Sequence, residues 1–444
     1  MWVCEGMSFK NRQPTIEYLC LGCDKNLVDL EKLLAHLKNL GAKIVPAEKG
    51  ADVLLINTCA FIEPARRESI EHILASVERK KEGEVKYLVV IGCLVELYED
   101  ELKKEIPEVD LWVKYSELNQ LSQKLKSIIP LKPKTKIQAL RLPITPRHIS
   151  YLKISEGCDR GCTFCVIPKI RGRFRSLPLN ELITEAKFLE NKGVKELNLV
   201  AQDLCDYGKD IGTNLLELLE NLLAHTSIPW LRLFYLNPEN FDFRLTKLME
   251  KEPRILPYFD LPFQHISDRI LARMGRSYRG KDVKAIMESI RSTLPNAVIR
   301  ATVMVGFPGE EESDFNELLK FIEWAEIDWL GVFTFSAEPF APASRFKNRP
   351  AKSIAEKRKE ELELLWQEIL ESKNQRKIGE VYQVLVDQQG EIGYDFKARS
   401  FEQAYEIDGV VFLKGNFRTG KFYQVEIVDS LGIDLIGVKQ RRRK

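Results

Sequence analysis

YLKISEGCDRGCTFC (151–165) runs from an apolar β-type segment straight into three cysteines, Cys158, Cys162 and Cys165, spaced C-x3-C-x2-C. The chain has nine cysteines among 444 residues, an odd number in a chain long enough to fold without disulfides. Reduced thiols for metal binding or catalysis are therefore a better reading than a disulfide framework. A zinc knuckle is the plainer alternative, but it wants four ligands, and no fourth Cys or His lies close by. Three thiolates are what a 4Fe–4S cluster needs when one iron must stay open for another ligand.

Downstream, five further apolar runs alternate with helical stretches: ELNLVAQD (196–203), WLRLFYLN (230–237), YFDLPFQH (258–265), AVIRATVMVGFP (297–308) and WLGVFTFSAEP (329–339). With YLKIS (151–155) they make six βα units, which fit a partial (β/α)6 barrel better than a closed eightfold one. The charged amphipathic stretch 350–377 reads as a long closing helix. Residues 378–444 turn to short alternating runs, GEVYQVLVD, FKARSF, GVVFL and KFYQVEIVD, which predict a small antiparallel β-barrel of oligonucleotide-binding type.

Upstream, IIPLKPKTKIQALRLPITPRH (128–148) carries four prolines and reads as a linker. Before it come IEYLCLGC (16–23), DVLLINTC (52–59) and YLVVIGC (87–93), with helical patterns near 25–40, 62–80 and 95–106. Continuous apolar runs alternating with helices predict a doubly wound parallel sheet. Each run ends in a cysteine, so Cys23, Cys59 and Cys93 are expected at the carboxyl edge, where open α/β sheets bind ligands. The expected divisions are a cluster-binding domain over 1–132, a linker over 133–144, a core over 145–377 and the small barrel over 378–444.

Hydrophobic residues at 44% and charged residues at 30% exclude a disordered, collagenous or coiled-coil chain. Lys and Arg total 67 against 65 Asp and Glu, a net +2, so no global basic field advertises nucleic acid. The longest apolar run, Tyr87 to Val95, is about half a membrane span, and MWVCEGMSFKNRQ lacks a signal-type apolar region. A cytoplasmic protein without a membrane segment is expected.

The C-x3-C-x2-C spacing, with aromatic Phe164 before the last cysteine, resembles the radical S-adenosylmethionine (SAM) superfamily. LGCDKNLVDLE (21–31), NTCAFIEPARRESI (57–70), IGC (91–93), TPRHISYLKISEGC (145–158), LPFQHISDRILARMGR (261–276) and VGFPGEEESDF (305–315) extend the match. They are similar to the radical-SAM methylthiotransferase family, and the resemblance covers nearly the whole chain. Asp24, Leu30 and Ala60 depart from the family's usual residues, and none is a ligand. The resemblance implies two 4Fe–4S clusters, one on Cys158, Cys162 and Cys165 that chelates and cleaves SAM, the other on Cys23, Cys59 and Cys93. It also implies an electron donor, a C-terminal TRAM domain, and a sulfur inserted from the second cluster and methylated by another SAM. A non-catalytic iron–sulfur electron carrier would not need six barrel units or an appended barrel.

SAM would need polar contacts from other strand ends. Gln202, Gln264, Arg300 and Gly306 are the candidates, beside Asp203 and His265. The two glycines of GFPGEE (306–311) would let backbone approach the adenosyl group, or serve a turn into a helix. Cys4, Cys20 and Cys205 match no ligand position, Cys20 reads as core, and the role of His148 is open. Relatives within the family modify either an aspartate Cβ of ribosomal protein S-twelve or an isopentenyl-adenosine of tRNA. Segment 377–438 has six Lys/Arg against ten Asp/Glu, a net −4 that suits a basic ribosomal protein better than tRNA phosphates. QHISD (264–268) and ARSFEQAYEIDG (398–409) resemble the protein-modifying branch, with Tyr405 in place of its usual Pro. Ribosomal protein S-twelve is thus the expected partner, in or near the small ribosomal subunit and with no stable nucleic-acid partner required. The basic tail, Lys439 and Arg441 to Lys444, would be a solvated end or a contact with ribosomal RNA.

Overall fold

The computed structural model describes residues 12–46, 50–132, 139–391 and 393–440. Cys4, the proline- and lysine-rich 133–138 and the tail 441–444 lie outside them. The chain divides into two compact units. One comprises residues to Ile144 with Glu156–Asp159 and Val166–Phe174; the other comprises the remainder.

In the first unit the chain runs β1 (Thr15–Cys20), α1 (Asp24–Asn39), β2 (Lys43–Ile44), β3 (Ala51–Thr58), α2 (Glu63–Lys81), β4 (Val85–Gly92), α3 (Cys93–Glu105), β5 (Leu111–Lys114) and a short α4 (Leu121–Leu125). All five strands are parallel in the order β2-β1-β3-β4-β5. The three long strands and their helices fall where the apolar runs predict; β2 and β5 are too short to carry a period. Ile16, Val53, Leu55, Val89 and Ile91 of the sheet pack on Leu30, Leu34 and Leu37 of α1. The strand order reverses between β1 and β3, the switch point at which doubly wound sheets open a ligand crevice. The described part of the linker is no free tether. Arg141 is buried in an ion pair with Glu31, whose carboxylate also accepts from Ile144 N–H at 2.7 Å.

In the second unit, β6 (Ile149–Lys153) leads to Ser155, the first residue of β7 (Ser155–Glu156); after the cysteine loop and the short α5 (Ile167–Arg171), which belongs to the first unit, the chain resumes the second unit at β8 (Arg175–Ser176). Then follow α6 (Leu179–Lys192), β9 (Glu196–Val200), α7 (Leu215–His225), β10 (Trp230–Leu233), α8 (Arg244–Lys251), β11 (Ile255–Gln264), α9 (Asp268–Arg273), α10 (Gly280–Thr293), β12 (Val298–Val305), α11 (Glu312–Ala325), β13 (Trp329–Thr334) and the closing helix α12 (Lys352–Arg376). The six long strands form one parallel sheet in simple sequence order, β6-β9-β10-β11-β12-β13, with free edges at β6 and β13. Leu197, Leu199, Leu231, Leu233, Phe259, Ile299, Ala301 and Leu330 pack on the helices. Strand alternation turns Lys153, Asn198, Arg232, Asp260, Arg300 and Thr302 to the opposite, inner face.

The C-terminal segment is a closed barrel of β14 (Val381–Gln389), β15 (Phe396–Arg399), β16 (Val411–Lys414), β17 (Phe422–Leu431) and β18 (Asp434–Lys439), in the order β14-β15-β16-β18-β17. Four of these strands match the alternating runs; β18, which pairs parallel to β16, is not legible as a fifth. The barrel docks against the strand starts of the central sheet. Glu196 at the head of β9 pairs with Arg232 and with Arg399 of β15, each at 2.7 Å. Arg399 also holds Asp387 at 2.7 Å, and Asp387 meets His148 at 3.0 Å. His148 thus joins the strap before β6 to the barrel. Among the described residues no helix is long and apolar enough to cross a membrane.

Candidate metal centres and cofactor site

The first unit brings the ends of β1, β3 and β4 side by side, and each delivers a cysteine. Cys23 caps α1, Cys59 follows β3 directly, and Cys93 opens α3. Gly22 makes this approach feasible: its φ is +90°, and a Cβ there would lie 2.7 Å from Cys59 Cβ. Burial pushes the Cys59 thiol up and the Cys93 thiol up to about 12; the Arg171 charge opposes the rise at both, and the neighbouring Cys23 adds to it. Helix N-termini at Cys23 and Cys93 favour the ionised form. Among the described residues no three His, Cys, Asp or Glu side chains gather closely enough for one metal ion. Three thiols delivered to one sheet edge suit a cluster, in which each of three irons takes its own thiolate.

Cys158, Cys162 and Cys165 lie on the loop between β7 and α5, and all three are partly exposed. Cys158 N–H donates to Gly172 O at 3.2 Å, across a bend where a Cβ on Gly157 would strike Arg173 O. Thr163 is fixed by Met274 O at 3.0 Å and Arg273 O at 2.9 Å. Arg160 anchors the loop to Asp203 at 2.5 Å, Asp206 at 3.0 Å and Glu239. Arg276, partly buried with its guanidinium over the Phe164 ring, places a cation beside Cys162 and Cys165. Three thiols in C-x3-C-x2-C spacing, two of them beside a positive charge, fit a cluster with an open iron.

The SAM candidates divide. Gln202 follows β9, and Gln264 ends β11 with a left-handed φ of +69°. Gly306 follows β12 directly, but the room that a Cβ would need there is taken by Ala355 at 2.5 Å, and a Cβ on Gly309 would meet Arg273. The missing Cβ thus allows close packing at both glycines. Gly306 N–H donates to the buried Glu310 carboxylate. Arg300 stands near the start of β12, away from those strand ends, and its guanidinium meets Asp260 at 3.3 Å and Asp408 at 3.4 Å. Asp203 serves Arg160, and the buried His265 faces Glu310 at 3.4 Å. Sequence reasoning missed Ser155 and Asn198, whose Oγ and Oδ1 are buried without hydrogen-bond partners among the described residues. For Asn198 the inward register on β9 was the available signal. Orphaned polar atoms of this kind suit a polar ligand such as SAM.

Comparison with known proteins agrees with this arrangement. Residues 15–114 match the model of the uncharacterized protein family UPF0004, 152–322 the radical SAM superfamily and 378–439 the TRAM domain. The chain is 44% identical to the ribosomal protein uS12 methylthiotransferase RimO of Aquifex aeolicus (strain VF5), over 95% of this chain and 96% of that protein. It is 40% identical to the protein of the same name from Thermotoga maritima, over 94% and 98%. Among solved structures, the radical SAM methyltransferase TsrM from Kitasatospora setae shares the fold with a TM-score of 0.55 at 14% identity, over 75% of this chain and 77% of that one. The chain belongs to the RimO family of ribosomal protein uS12 methylthiotransferases.

Proposed function

We propose that this enzyme replaces a Cβ–H bond of an aspartate in ribosomal protein uS12 by Cβ–SCH3. In this reading Cys158, Cys162 and Cys165 hold a 4Fe–4S cluster that binds SAM, and Cys23, Cys59 and Cys93 hold a second. The observation that carries it is the delivery of three cysteines to one sheet edge in a chain that also bears the C-x3-C-x2-C loop. When bound, the groups supply a hydrogen-abstracting radical from one SAM, sulfur from the second cluster and a methyl from another SAM. The chain's own part is to ionise, orient and enclose. Helix N-termini favour the Cys23 and Cys93 thiolates, Arg276 offsets charge at Cys162 and Cys165, and Arg160 braces their loop. Ser155 and Asn198, with Gln202 and Gln264 at the strand ends, would hold the polar groups of SAM.

The acidic C-terminal barrel suits a basic protein substrate, and a cytoplasmic one-electron donor goes with the same reading. Cys162→Ala should abolish 5′-deoxyadenosine formation, whereas Cys59→Ala should keep it and lose methylthio transfer. Deoxyadenosine from the first variant, or methylthiolated uS12 from the second, would contradict the assignment.

A further inference from the structure

Arg171 ends α5, the helix that follows the cysteine loop in sequence, and its side chain is 1% exposed. One guanidinium nitrogen, Nη2, lies 3.8 Å from Cys93 Sγ and donates to Asn26 Oδ1. The other, Nη1, donates to Asp29 at 3.0 Å, to Glu156 at 3.0 Å and to the Tyr115 hydroxyl at 3.2 Å. The Tyr115 ring lies 4.3 Å from the guanidinium carbon. Asn26 is itself locked, donating to Leu21 O and Thr58 O at 3.1 Å each, and it accepts from Cys93 Sγ at 3.5 Å. The cation cannot swing away: two carboxylates and a phenol fix one nitrogen while the second faces a buried thiol. The two carboxylates offset part of this cation's field, but in a site screened less than water the loss of its unit charge would still be felt at the thiol. Cluster potentials respond to net charge and to hydrogen bonds on the ligating sulfurs.

We propose that Arg171 tunes the cluster held by Cys23, Cys59 and Cys93, stabilising the Cys93 thiolate and setting that cluster's reduction potential above the value it would have without this charge. The proposal rests on the ligand assignment given under the proposed function. Arg171 acts through Cys93 and is a positioning residue. The test uses the full chain with Cys158, Cys162 and Cys165 replaced by Ala, reconstituted anaerobically so that only the N-terminal site is loaded. Iron and sulfide analysis reports occupancy, and a redox titration followed by electron paramagnetic resonance reports the potential, for this parent and for the parent carrying Arg171→Gln or Arg171→Lys.

The expected result is a lower potential for Arg171→Gln and a value near the parent for Arg171→Lys. If Arg171→Gln fails to hold iron while Arg171→Lys holds it, the charge requirement is equally supported. An unchanged potential in a fully loaded Arg171→Gln protein would overturn the proposal and leave the ligand assignment standing. Iron loss in both variants would overturn it too, since it would show a structural need for the guanidinium fork rather than its charge. A parent that binds no cluster would refute the ligand assignment itself.

Discussion

Gly22 shows how one residue sets the geometry of a cluster edge. Its left-handed φ of +90° and the 2.7 Å gap to Cys59 Cβ leave no room for a side chain. Gly22→Ala should cost about 1–3 kcal/mol in backbone strain, with more from the clash, and should reduce iron in the N-terminal site. A thermal melt and an iron assay on the variant check this; wild-type iron and melting temperature would refute it. The cysteines themselves were legible, because three lie within eight residues and three close strand-like runs. Asn26 and Arg171 were not, because a polar side chain has no visible role until the fold brings Cys93 to it. Gly306 shows a role that the sequence did not suggest, since the absence of a Cβ there makes room for Ala355.

Elements were read well where periodicity was long and failed where local chemistry overrode it. β18 (DLIGVK) went unread because Gly437 interrupts it, yet a Cβ there would press on Leu413, Val411 and Val425 at 3.2–3.3 Å in the narrow barrel. Pro257 hid the first residues of β11, and Tyr235, at a φ of +57°, stops β10 short of its apolar run. Nothing in the sequence announced that Glu196, Arg232 and Arg399 would meet at the barrel's seat. Removing one partner strands buried charge, so Arg399→Met should destabilise the protein by about 3–5 kcal/mol, read by urea unfolding. A loss within measurement error would contradict that seat.

Burial alone would lift the Glu196 carboxyl, but the charges of Arg399 and Arg232 hold it down to about 2. A depressed folded pKa contributes stability that is present above the ordinary glutamate value of 4.5 and is lost as pH falls from there towards 2. Urea unfolding between pH 5 and pH 3 should therefore show a steeper loss in wild type than in Glu196→Gln. Equal slopes would show that Glu196 is not held down.

At the scale of the whole molecule, two parallel α/β sheets and a small closed barrel are assembled in one chain, and the order of these parts was legible from where strand-like and helical periods alternate. Because cluster ligation stabilises only folded protein, the reconstituted enzyme should melt at a higher temperature than the same chain stripped of iron. Coincident melts would contradict ligation within the folded units. Charge goes with a protein substrate: before its basic tail, the segment 377–438 is net −4, which favours a basic protein over phosphates. The most direct test offers ribosomal protein uS12 and isopentenylated tRNA together to the reconstituted enzyme, with SAM and a strong reductant, anaerobically, followed by mass spectrometry of both. A methylthio gain on one aspartate of uS12, with the tRNA unchanged, is the predicted result; the same gain on the tRNA, with uS12 unchanged, would contradict it.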